Sequence, residues 1–457
     1  MKAVNSVLAV WYAFATAFVS NAVERPNFLV IYGEGAGWSS SSVQMDDRNP
    51  ASKSAGLKTP NLERLAAGGM RFANGYAASP RCTPSRAALF TGRSPAALHM
   101  TFVNEERGGD AAALARVIAP HAVMELPESA TTVGELLQRA GYATAHFGKW
   151  HVGRESPAKH GFPENDGANG NGGPENVLSP NPKQALAIAA KGIDFMTRQA
   201  KAGRPFYLQM SHYPNQEEKR GGGGGKGRAP EGDAEQMGIT DQTLGQVLDA
   251  VERLGLKGST FVLYTTDHGT PGRNPPLTGG KGTVSEGGLR VPFIVAGPGI
   301  AAGACSHVRV SATDWLPTVA ELAGVKEPLA KEVEGGSFAA VLKGGGQGVV
   351  RRSREEFVVH FPHYDKDAIG PASALYLGDL KLVRIYETGE RRLFDLSKDI
   401  TERTDLAKSQ PQKVAELDQR LTDYLAAVNA QMPNVNANVP VGQRPPEKKG
   451  KKGKEKQ

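Results

Sequence analysis

The segment Cys82-Thr83-Pro84-Ser85-Arg86 places a thiol directly before a short apolar run. Proline suits the first turn of a helix, and residues 85–90 can continue that turn, so Cys82 is predicted to lie at a helix N-terminus. Free backbone N–H groups and the helix dipole favour an anion at such a position, and Arg86 adds a fixed positive charge. From these residues alone, Cys82 is either a thiol with a lowered pKa or part of a helix cap without chemistry.

Polar side chains follow three apolar segments that read as buried strands. They are Glu34 after NFLVIY (27–32), Lys149 and His151 after YATAHF (142–147), and Asp267 and His268 after TFVLYT (260–265). Ligands of open α/β sheets bind beyond the carboxyl ends of the strands, so these side chains are expected to converge at one edge. Each one alone would be weak evidence, but three at the same edge predict a functional site.

The elements that would position these residues alternate between helix and apolar strand. A further strand is predicted at 291–296, and amphipathic helices are predicted to begin near Thr59-Pro60 and at Thr131 or Thr132 and to cover 244–254. This alternation predicts an α/β fold with a large, mostly parallel mixed sheet sandwiched by helices. From about residue 372, short segments separated by turns predict a small C-terminal antiparallel sheet, followed by a helix at about 412–428.

We expect four parts along the chain: a signal peptide (1–22), a catalytic domain (23–345), a C-terminal subdomain (346–430) and a disordered lysine-rich tail (431–457). Lys2, an apolar run at 7–19 and Ser20-Asn21-Ala22 are typical of a cleaved signal peptide, with an uncleaved anchor as the alternative. The expected location is therefore periplasmic or secreted. No other apolar run is long enough for a bilayer, so no integral membrane segment is expected after cleavage.

The charge and cysteine content exclude two simple interpretations. The net charge is +7, but residues 447–457 hold six Lys and two Glu, so most of the excess lies in the predicted tail and gives no reason to expect a nucleic-acid partner. The chain has two cysteines, Cys82 and Cys305. One disulfide would be the default in an exported protein, but the motif around Cys82 favours separate chemistry, which leaves Cys305 unpaired.

The segment CTPSRAALFTGR (82–93) resembles the signature of the sulfatase family, C-x-P-S-R followed by T-G-R. Further segments resemble motifs of the same family: GYATAHFGKWHVG (141–153), TTDHG (265–269), PLTGGKGTVSEGGLRVPFIV (276–295) and SATDWLPT (311–318). LGDLKLVRIY (377–386) and LFDLSKDITERTDLA (393–407) resemble the family's small C-terminal subdomain. The resemblance covers about 26–430 and implies an alkaline-phosphatase-like fold.

The resemblance also implies a mechanism. In the family, a formylglycine-generating enzyme oxidises the cysteine to an aldehyde, formylglycine, whose hydrate attacks sulfur and transiently carries the sulfate. Carried over by motif, Cys82 would be the nucleophile, steadied by Arg86; Lys149, His151 and Lys281 would hold the hydrate and the sulfate; His212 would bind sulfate or protonate the leaving oxygen; and Glu34, Cys82, Asp267 and His268 would bind a metal. Oxygen ligands in an exported protein favour Ca²⁺, with Mg²⁺ as the second choice.

The sequence departs from the family pattern at one point. Two adjacent aspartates normally follow the first strand, whereas this chain has Glu34 and Gly35. Three interpretations stay open: Glu34 binds the cation with both oxygens, Asp46 or Asp47 supplies the missing oxygen, or the protein is a relative with an impaired metal site. The pair Asp46-Asp47 is equally typical of an acidic surface loop.

The predicted function is hydrolysis of sulfuric esters, with sulfated carbohydrate as the first choice of substrate. Two alternatives remain: a non-catalytic relative that binds sulfated glycans, and a phosphoester hydrolase of the same superfamily, for which a two-metal site would be needed. HFPHY (360–364) resembles a segment near the pocket mouth in relatives, so His360 or His363 is expected either to touch the substrate or to serve in packing.

Overall fold

The computed structural model describes residues 25–103, 115–171, 184–213, 230–272, 274–365 and 369–439. The predicted signal peptide, the glycine-rich stretch 221–228 and the lysine-rich end of the chain lie outside the described residues. No helix within these ranges is long and apolar enough to cross a membrane.

The strands are β1 (Asn27–Gly33), β2 (Met70–Phe72), β3 (Gly75–Tyr76), β4 (Val117–Ile118), β5 (Ala143–Gly148), β6 (Glu164–Asn165), β7 (Phe206–Ser211), β8 (Thr260–Thr266), β9 (Phe293–Ala296), β10 (Ala304–Ser306), β11 (Val310–Ser311), β12 (Phe357–Phe361), β13 (Ala372–Leu377), β14 (Leu380–Ile385), β15 (Arg391–Asp395) and β16 (Asn434–Val435). The α-helices are α1 (Pro60–Ala67), α2 (Cys82–Thr91), α3 (Pro95–Leu98), α4 (Val133–Arg139), α5 (Ala185–Lys201), α6 (Pro230–Arg253), α7 (Glu286–Leu289), α8 (Trp315–Leu322), α9 (Ala339–Lys343) and α10 (Pro411–Ala427).

The main sheet has eight strands in the order β10-β2-β9-β8-β1-β7-β5-β6. The central strand β1 is parallel to β7 and β8, and β5 continues the parallel set beside β7. Only β9 runs against its neighbours β2 and β8 within this sheet. The prediction of a mostly parallel mixed sheet is confirmed, and the carboxyl ends of β1, β5, β7 and β8 therefore meet at one edge.

Alternate residues of β1 pack into two separate layers, as the two-residue period of a strand requires. Phe28, Val30 and Tyr32 belong to one hydrophobic cluster, and Leu29 and Ile31 belong to the other. The first cluster includes residues of α2, α4 and α8, and the second includes residues of α1, α5 and α6. Helices on both faces explain why β1 is apolar throughout instead of alternating with polar residues.

The C-terminal part forms the predicted antiparallel sheet, in the order β12-β13-β14-β15. Helix α10 packs on one face of it, and Tyr76 and Leu289 of the main domain pack with the other face. Helix α10 spans Pro411–Ala427, one residue from the predicted bounds. The described chain continues past the predicted boundary at 430, because β16 pairs with β4.

Candidate active site

Helix α2 begins at Cys82, as predicted, and the loop before it is pinned by Ser85. The Ser85 hydroxyl donates to the Ser79 carbonyl oxygen at 2.8 Å and accepts from the Ser79 N–H at 3.1 Å. The αL residue Gly92 ends the helix, as expected of a glycine after a last turn. These local bonds fix the first turn of α2, and thus Cys82, against the edge of the main sheet.

Residue 82 is surrounded by side chains from five segments of the chain. Together they form what we call the residue-82 cluster: Glu34, Cys82, Arg86, Lys149, Asp267, His268 and Lys281. Glu34 follows β1, Lys149 follows β5, and Asp267 and His268 follow β8. All members except Lys281 are essentially inaccessible to solvent, and the Lys281 side chain is 14% exposed.

Three contacts bring Cys82 into this cluster. Its Sγ lies 3.2 Å from His268 Nε2, 3.4 Å from Lys281 Nζ and 3.4 Å from Glu34 Oε1. Burial and Glu34 act to raise the pKa of the thiol, but the positive charges of Lys149, Lys281 and His268 outweigh them and hold this pKa well below its usual range. The position is therefore built to stabilise negative charge.

Arg86 links three other members of the residue-82 cluster through hydrogen bonds. Its guanidinium donates to Glu34 Oε2 at 3.1 Å, to Asp267 Oδ2 at 3.0 Å and to the Lys149 carbonyl oxygen at 2.8 Å. It also lies over the Tyr32 ring at 5.1 Å from the centroid. The structure thus has Arg86 orienting the two carboxylates, which in turn face residue 82.

The carboxylate of Glu34 divides its two oxygens between different partners. Oε2 accepts from Lys149 Nζ at 2.7 Å as well as from Arg86, whereas Oε1 faces Lys281 at 3.3 Å and His268 at 3.6 Å. Oε2 is hydrogen-bonded to two cationic side chains, whereas Oε1 is directed towards the other potential metal ligands. The interpretation that Glu34 binds the cation with both oxygens stays a prediction.

Four side chains fit a divalent cation. Each of Glu34, Cys82, Asp267 and His268 offers a ligand atom, and these atoms all lie within 4.8 Å of one another. Burial and the negative charge of Glu34 raise the pKa of Asp267 to about 6. Burial acts to lower the pKa of His268, but the negative charge of Asp267 outweighs it and raises this pKa to about 9. Burying two carboxylates and an imidazole this close together is costly, and a cation shared between them would offset that cost. The set of ligand atoms therefore fits a cation.

Gly35 occupies the position of the missing aspartate for a local reason. Its φ is +60°, and its N–H donates to Asp267 Oδ1 at 3.1 Å. A Cβ added there would lie 3.1 Å from His268 Cε1. A side chain at residue 35 would therefore press on His268, and the backbone N–H of Gly35 supports the neighbouring carboxylate instead.

The expectation that Asp46 or Asp47 completes the metal site is wrong for this structure. The carboxylate of Asp46 accepts from the Arg48 N–H at 2.9 Å, in a turn of the loop after β1. Asp47 pairs with His307 Nε2 at 2.8 Å, and its side chain is half exposed. Both belong to a surface loop, the alternative that the sequence had left open.

The two remaining predicted histidines present unpaired ring nitrogens. His212 follows β7, and its Nε2 lies 3.1 Å from Thr243 Oγ1 rather than at residue 82. Among the described residues, no hydrogen-bond partner reaches Nδ1 of His212 or of His151, and both atoms are buried. Burial lowers the pKa of each ring, to about 4 for His212. These neutral imidazoles each have a free nitrogen for a ligand.

Sequence reasoning missed an ion pair beside Cys82. The guanidinium of Arg81 forms a two-pronged pair with the Asp365 carboxylate, and both side chains are almost fully buried. Arg81 also lies over the Phe102 ring, which stacks on His363 at 4.8 Å between centroids. We call Arg81, Phe102, His363 and Asp365 the Arg81 wall. The position of Arg81 next to Cys82 was the only local signal for it.

The two histidines of HFPHY have different surroundings. The nitrogens of His360 pair with Ser373 Oγ at 2.7 Å and with the Gln431 carbonyl oxygen at 2.9 Å, so His360 serves in packing. His363 Nε2 pairs with Thr101 Oγ1 at 2.7 Å in the Arg81 wall. Cys305 forms no disulfide with Cys82, as predicted.

Comparison with known proteins agrees with this geometry. The family description "Sulfatase" matches residues 26–325, and "N-sulphoglucosamine sulphohydrolase, C-terminal" matches residues 280–431. The chain is 32% identical to N-acetylgalactosamine-6-sulfatase of Rattus norvegicus over 360 residues, which is 69% of this chain and 65% of that protein. It is 32% identical to human arylsulfatase A over 403 residues, 76% of this chain and 73% of the relative. The chain thus spans about two thirds of the length of the first of these relatives.

Solved structures share the fold at lower sequence identity. The structure of Ps i-CgsB in complex with k-i-k-neocarrahexaose superposes with a TM-score of 0.71 at 21% identity, over 88% of this chain and 93% of that chain. The predicted alkaline-phosphatase-like α/β fold is confirmed by such neighbours. On the length of the family match and the identity to its relatives, this chain belongs to the sulfatase family.

Proposed function

We propose that this protein hydrolyses sulfuric esters of carbohydrates, releasing inorganic sulfate and the free sugar hydroxyl. One observation carries the proposal: around residue 82, three fixed cations (Arg86, Lys149 and Lys281) face two carboxylates in a buried space. A buried excess of positive charge is costly unless an anion occupies it. A sulfate ester supplies an anion of the right sign at residue 82.

The proposed nucleophile is residue 82 after oxidation of Cys82 to formylglycine, which supplies a hydrated aldehyde oxygen at the N-terminus of α2. Lys281, whose Nζ lies 3.4 Å from Sγ, and Lys149 would bind the sulfate oxygens and stabilise the charge that develops on them. Within the described part of the chain, the Nδ1 atoms of His151 and His212 lack hydrogen-bond partners, so either ring can hydrogen-bond to the sulfate or deliver a proton to the leaving oxygen.

A divalent cation would be held by Glu34, Asp267, His268 and residue 82, where it would polarise a sulfate oxygen. We propose Ca²⁺, with Mg²⁺ as the lesser option. Because Glu34 offers one oxygen and Gly35 none, we expect weaker cation binding than a site with a further carboxylate would give.

A sugar is proposed as the leaving group because the Arg81 wall stands next to residue 82. A charged pair flanked by an aromatic ring suits a hydroxyl-bearing ring, since Arg81 donates to hydroxyls and Asp365 accepts from them. The solved relative with a bound neocarrahexaose and the N-acetylgalactosamine-6-sulfatases are similar proteins whose names specify carbohydrate.

The remaining expectations belong to the same proposal. We propose export by the segment 1–22, a catalytic domain at 23–345, a subdomain at 346–430 and maturation by a formylglycine-generating enzyme outside the cytoplasm.

A binding protein for sulfated glycans is the second candidate, and the observation that favours it is Gly35 in place of a carboxylate. A two-metal phosphoesterase is disfavoured because the cluster at residue 82 offers four metal-type ligands among the described residues.

The test is sulfate release from a panel of sulfated sugars and one aryl sulfate. The full chain would be co-expressed with a formylglycine-generating enzyme and assayed with Ca²⁺ and after chelation, with Cys82→Ala as the control. Calcium-dependent release that Cys82→Ala lacks supports the proposal. Binding of sulfated sugars without release, in protein whose residue 82 is formylglycine by mass, would support the binding protein instead.

A further inference from the structure

A second group of metal-type ligands lies at the lateral edge of the main sheet, on and beside strand β10. Asp47, Cys305 and His307 each offer a ligand atom, and these atoms all lie within 4.8 Å of one another. Cys305 is on β10, the edge strand, which β2, β9 and β8 separate from β1. We call these three residues the Cys305 cluster. It shares no residue with the residue-82 cluster, and the sulfatase chemistry makes no use of it.

The backbone explains why two of the ligands point the same way. Cys305 and His307 are two residues apart in an extended segment, so their side chains emerge on one face. Ser306 faces the opposite side, where it is fully buried and its hydroxyl donates to the Gly346 carbonyl oxygen at 2.7 Å. The strand is thereby anchored through Ser306, with Cys305 and His307 on the other face.

The third ligand comes from a braced loop. Asp47 follows Asp46, whose N–H donates to Ser52 Oγ at 3.0 Å, while the Ser52 hydroxyl donates to the Asn49 carbonyl oxygen at 2.6 Å. These bonds hold the loop so that Asp47 Oδ1 lies 2.8 Å from His307 Nε2. The ligand positions therefore rest on a strand and a closed turn rather than on free side chains.

We propose that the Cys305 cluster binds a zinc-type, borderline-soft divalent cation through the Cys305 thiolate, a His307 ring nitrogen and the Asp47 carboxylate. Thiolate, imidazole and carboxylate together are the ligand types that zinc takes, and three protein ligands leave a fourth position for water. Calcium, the cation proposed for residue 82, prefers oxygen ligands and would not select this set.

The surroundings of Cys305 support a bound cation. Apart from this cluster, Sγ meets the Met45 carbonyl oxygen at 3.7 Å, and no disulfide uses it. Arg71, across from Cys305 on β2, donates to the Gly303 carbonyl oxygen at 3.2 Å. Asp47 Oδ1 and His307 Nε2 lie 2.8 Å apart, and a ligand atom of each residue is within 4.8 Å of the thiol sulfur. A divalent cation bound by these three residues would displace the thiol proton to solvent.

Cobalt(II) provides a specific probe because the full-length Cys82→Ala chain has Cys305 as its single thiol. Co²⁺ titrated into this variant is expected to give a thiolate-to-cobalt charge-transfer band at one equivalent, and Zn²⁺ is expected to abolish the band by displacement. Co²⁺ held by Glu34, Asp267 and His268 cannot produce that band, because no thiol remains there. Absence of the band would overturn the proposal.

Matched variants assign the other two ligands. In the Cys82→Ala background, His307→Ala and Asp47→Asn should each weaken Zn²⁺ binding by about tenfold or more, whereas His121→Ala, an exposed histidine outside the cluster, should leave it unchanged. All of these are surface changes that leave the core intact. Equal Zn²⁺ affinity in His307→Ala and the parent would reduce the cluster to an ordinary Asp–His surface pair and contradict the proposal.

Discussion

Two buried groups of charged side chains in this protein differ in their balance. In the residue-82 cluster, the fixed cations Arg86, Lys149 and Lys281 outnumber the carboxylates of Glu34 and Asp267. In the second group, two carboxylates meet two cations. We call this second group the Glu286 network: Glu286, Arg290, Lys381 and Glu402, with the hydroxyls of Tyr76 and Tyr376.

The charged groups of the Glu286 network are all paired with one another. Lys381 Nζ lies 3.0 Å from Glu286 Oε1 and 2.6 Å from Glu402 Oε1, and Arg290 Nε lies 2.8 Å from Glu286 Oε2. The hydroxyls of Tyr76 and Tyr376 each donate to Glu286 at 2.8 Å. Burial opposes ionisation of Glu286, but Lys381 and Arg290 lower its pKa to about 2.

The difference in charge balance indicates that the Glu286 network has a structural role and the residue-82 cluster a functional one. The Glu286 network joins α7 of the main domain to β14 of the C-terminal sheet with every charge paired, so it needs no ligand. The residue-82 cluster has an excess of positive charge, and Nδ1 of His151 and of His212 has no hydrogen-bond partner among the described residues, so we propose that an anion completes the site. Substitutions of single lysines in the two groups should therefore have opposite consequences.

The largest effect is expected from Lys381→Met in the Glu286 network. Glu402 would lose the only cation that contacts it among the described residues while staying buried, so the free energy of unfolding should fall by about 3–5 kcal/mol. Denaturant unfolding measures this. Lys398→Met, an exposed lysine paired with Asp395, is the control and should change little. Wild-type stability in Lys381→Met would contradict the structural role.

Lys149→Met should have the opposite pattern. Glu34 keeps Arg86 and Lys281, so unfolding should change by no more than about 1 kcal/mol, whereas sulfate release should fall by about 10²–10³-fold because a buried donor to the sulfate is lost. Steady-state kinetics and unfolding on the same preparation give both values. A variant that loses stability but keeps its turnover number would reverse the assignment of the two groups.

Buried neutral histidines differ from both charged groups in how they make the free energy of unfolding depend on pH. Burial lowers the pKa of His360 to about 4, so the unfolded chain takes up a proton below about pH 6.5 that the folded protein refuses. Stability from this residue is complete above that pH and is lost as the pH falls towards 4, at about 1.4 kcal/mol per unit.

The measurement is denaturant unfolding of wild type and His360→Gln at pH 7, 6 and 5. The variant should lose less stability between pH 6 and 5 than wild type, and His121→Gln, at an exposed position, should follow the wild-type slope. Identical slopes for His360→Gln and wild type would mean that His360 is not kept neutral by burial.

The smallest effect is expected at the Arg81 wall. Asp365→Asn keeps the shape but weakens the pair with Arg81 and the acceptor for a sugar hydroxyl, so kcat/KM for the best sulfated sugar should fall by about tenfold. Hydrolysis of an aryl sulfate, which has no ring hydroxyls, should change much less. Equal losses for the two substrates would remove the wall from sugar recognition.

Much of the fold and of the residue-82 cluster could be predicted because the signals are local. Apolar strands ending in polar residues placed Glu34, Lys149 and Asp267 at one edge, and Pro84 placed Cys82 at the start of α2. The separations within the Arg81 wall and the Glu286 network are 284 residues for Arg81–Asp365 and 95 residues for Lys381–Glu286. Side-chain pairs that distant carry no local pattern, so only the packed structure reveals them.

One interpretation that the sequence left open was wrong because of the direction that the chain takes after β1. Asp46 and Asp47 are close to Glu34 in sequence, but the turn that pairs Asp46 with Asn49 carries them to the edge beside β10. The two-oxygen interpretation of Glu34 stays a prediction; in this structure Lys149 and Arg86 contact its Oε2. The role of His212 also stays a prediction; the residue lies at the predicted sheet edge, with its Nε2 at Thr243 Oγ1.

The central claim is that residue 82, once oxidised, is the nucleophile of a sulfate-ester hydrolase. The most direct measurement compares preparations made with graded amounts of a formylglycine-generating enzyme, quantifying converted residue 82 by peptide mass and sulfate release from the best sugar substrate. We predict that activity rises in proportion to the converted fraction and extrapolates to zero at no conversion. Equal activity in unconverted protein, or any turnover by Cys82→Ala, would contradict the claim.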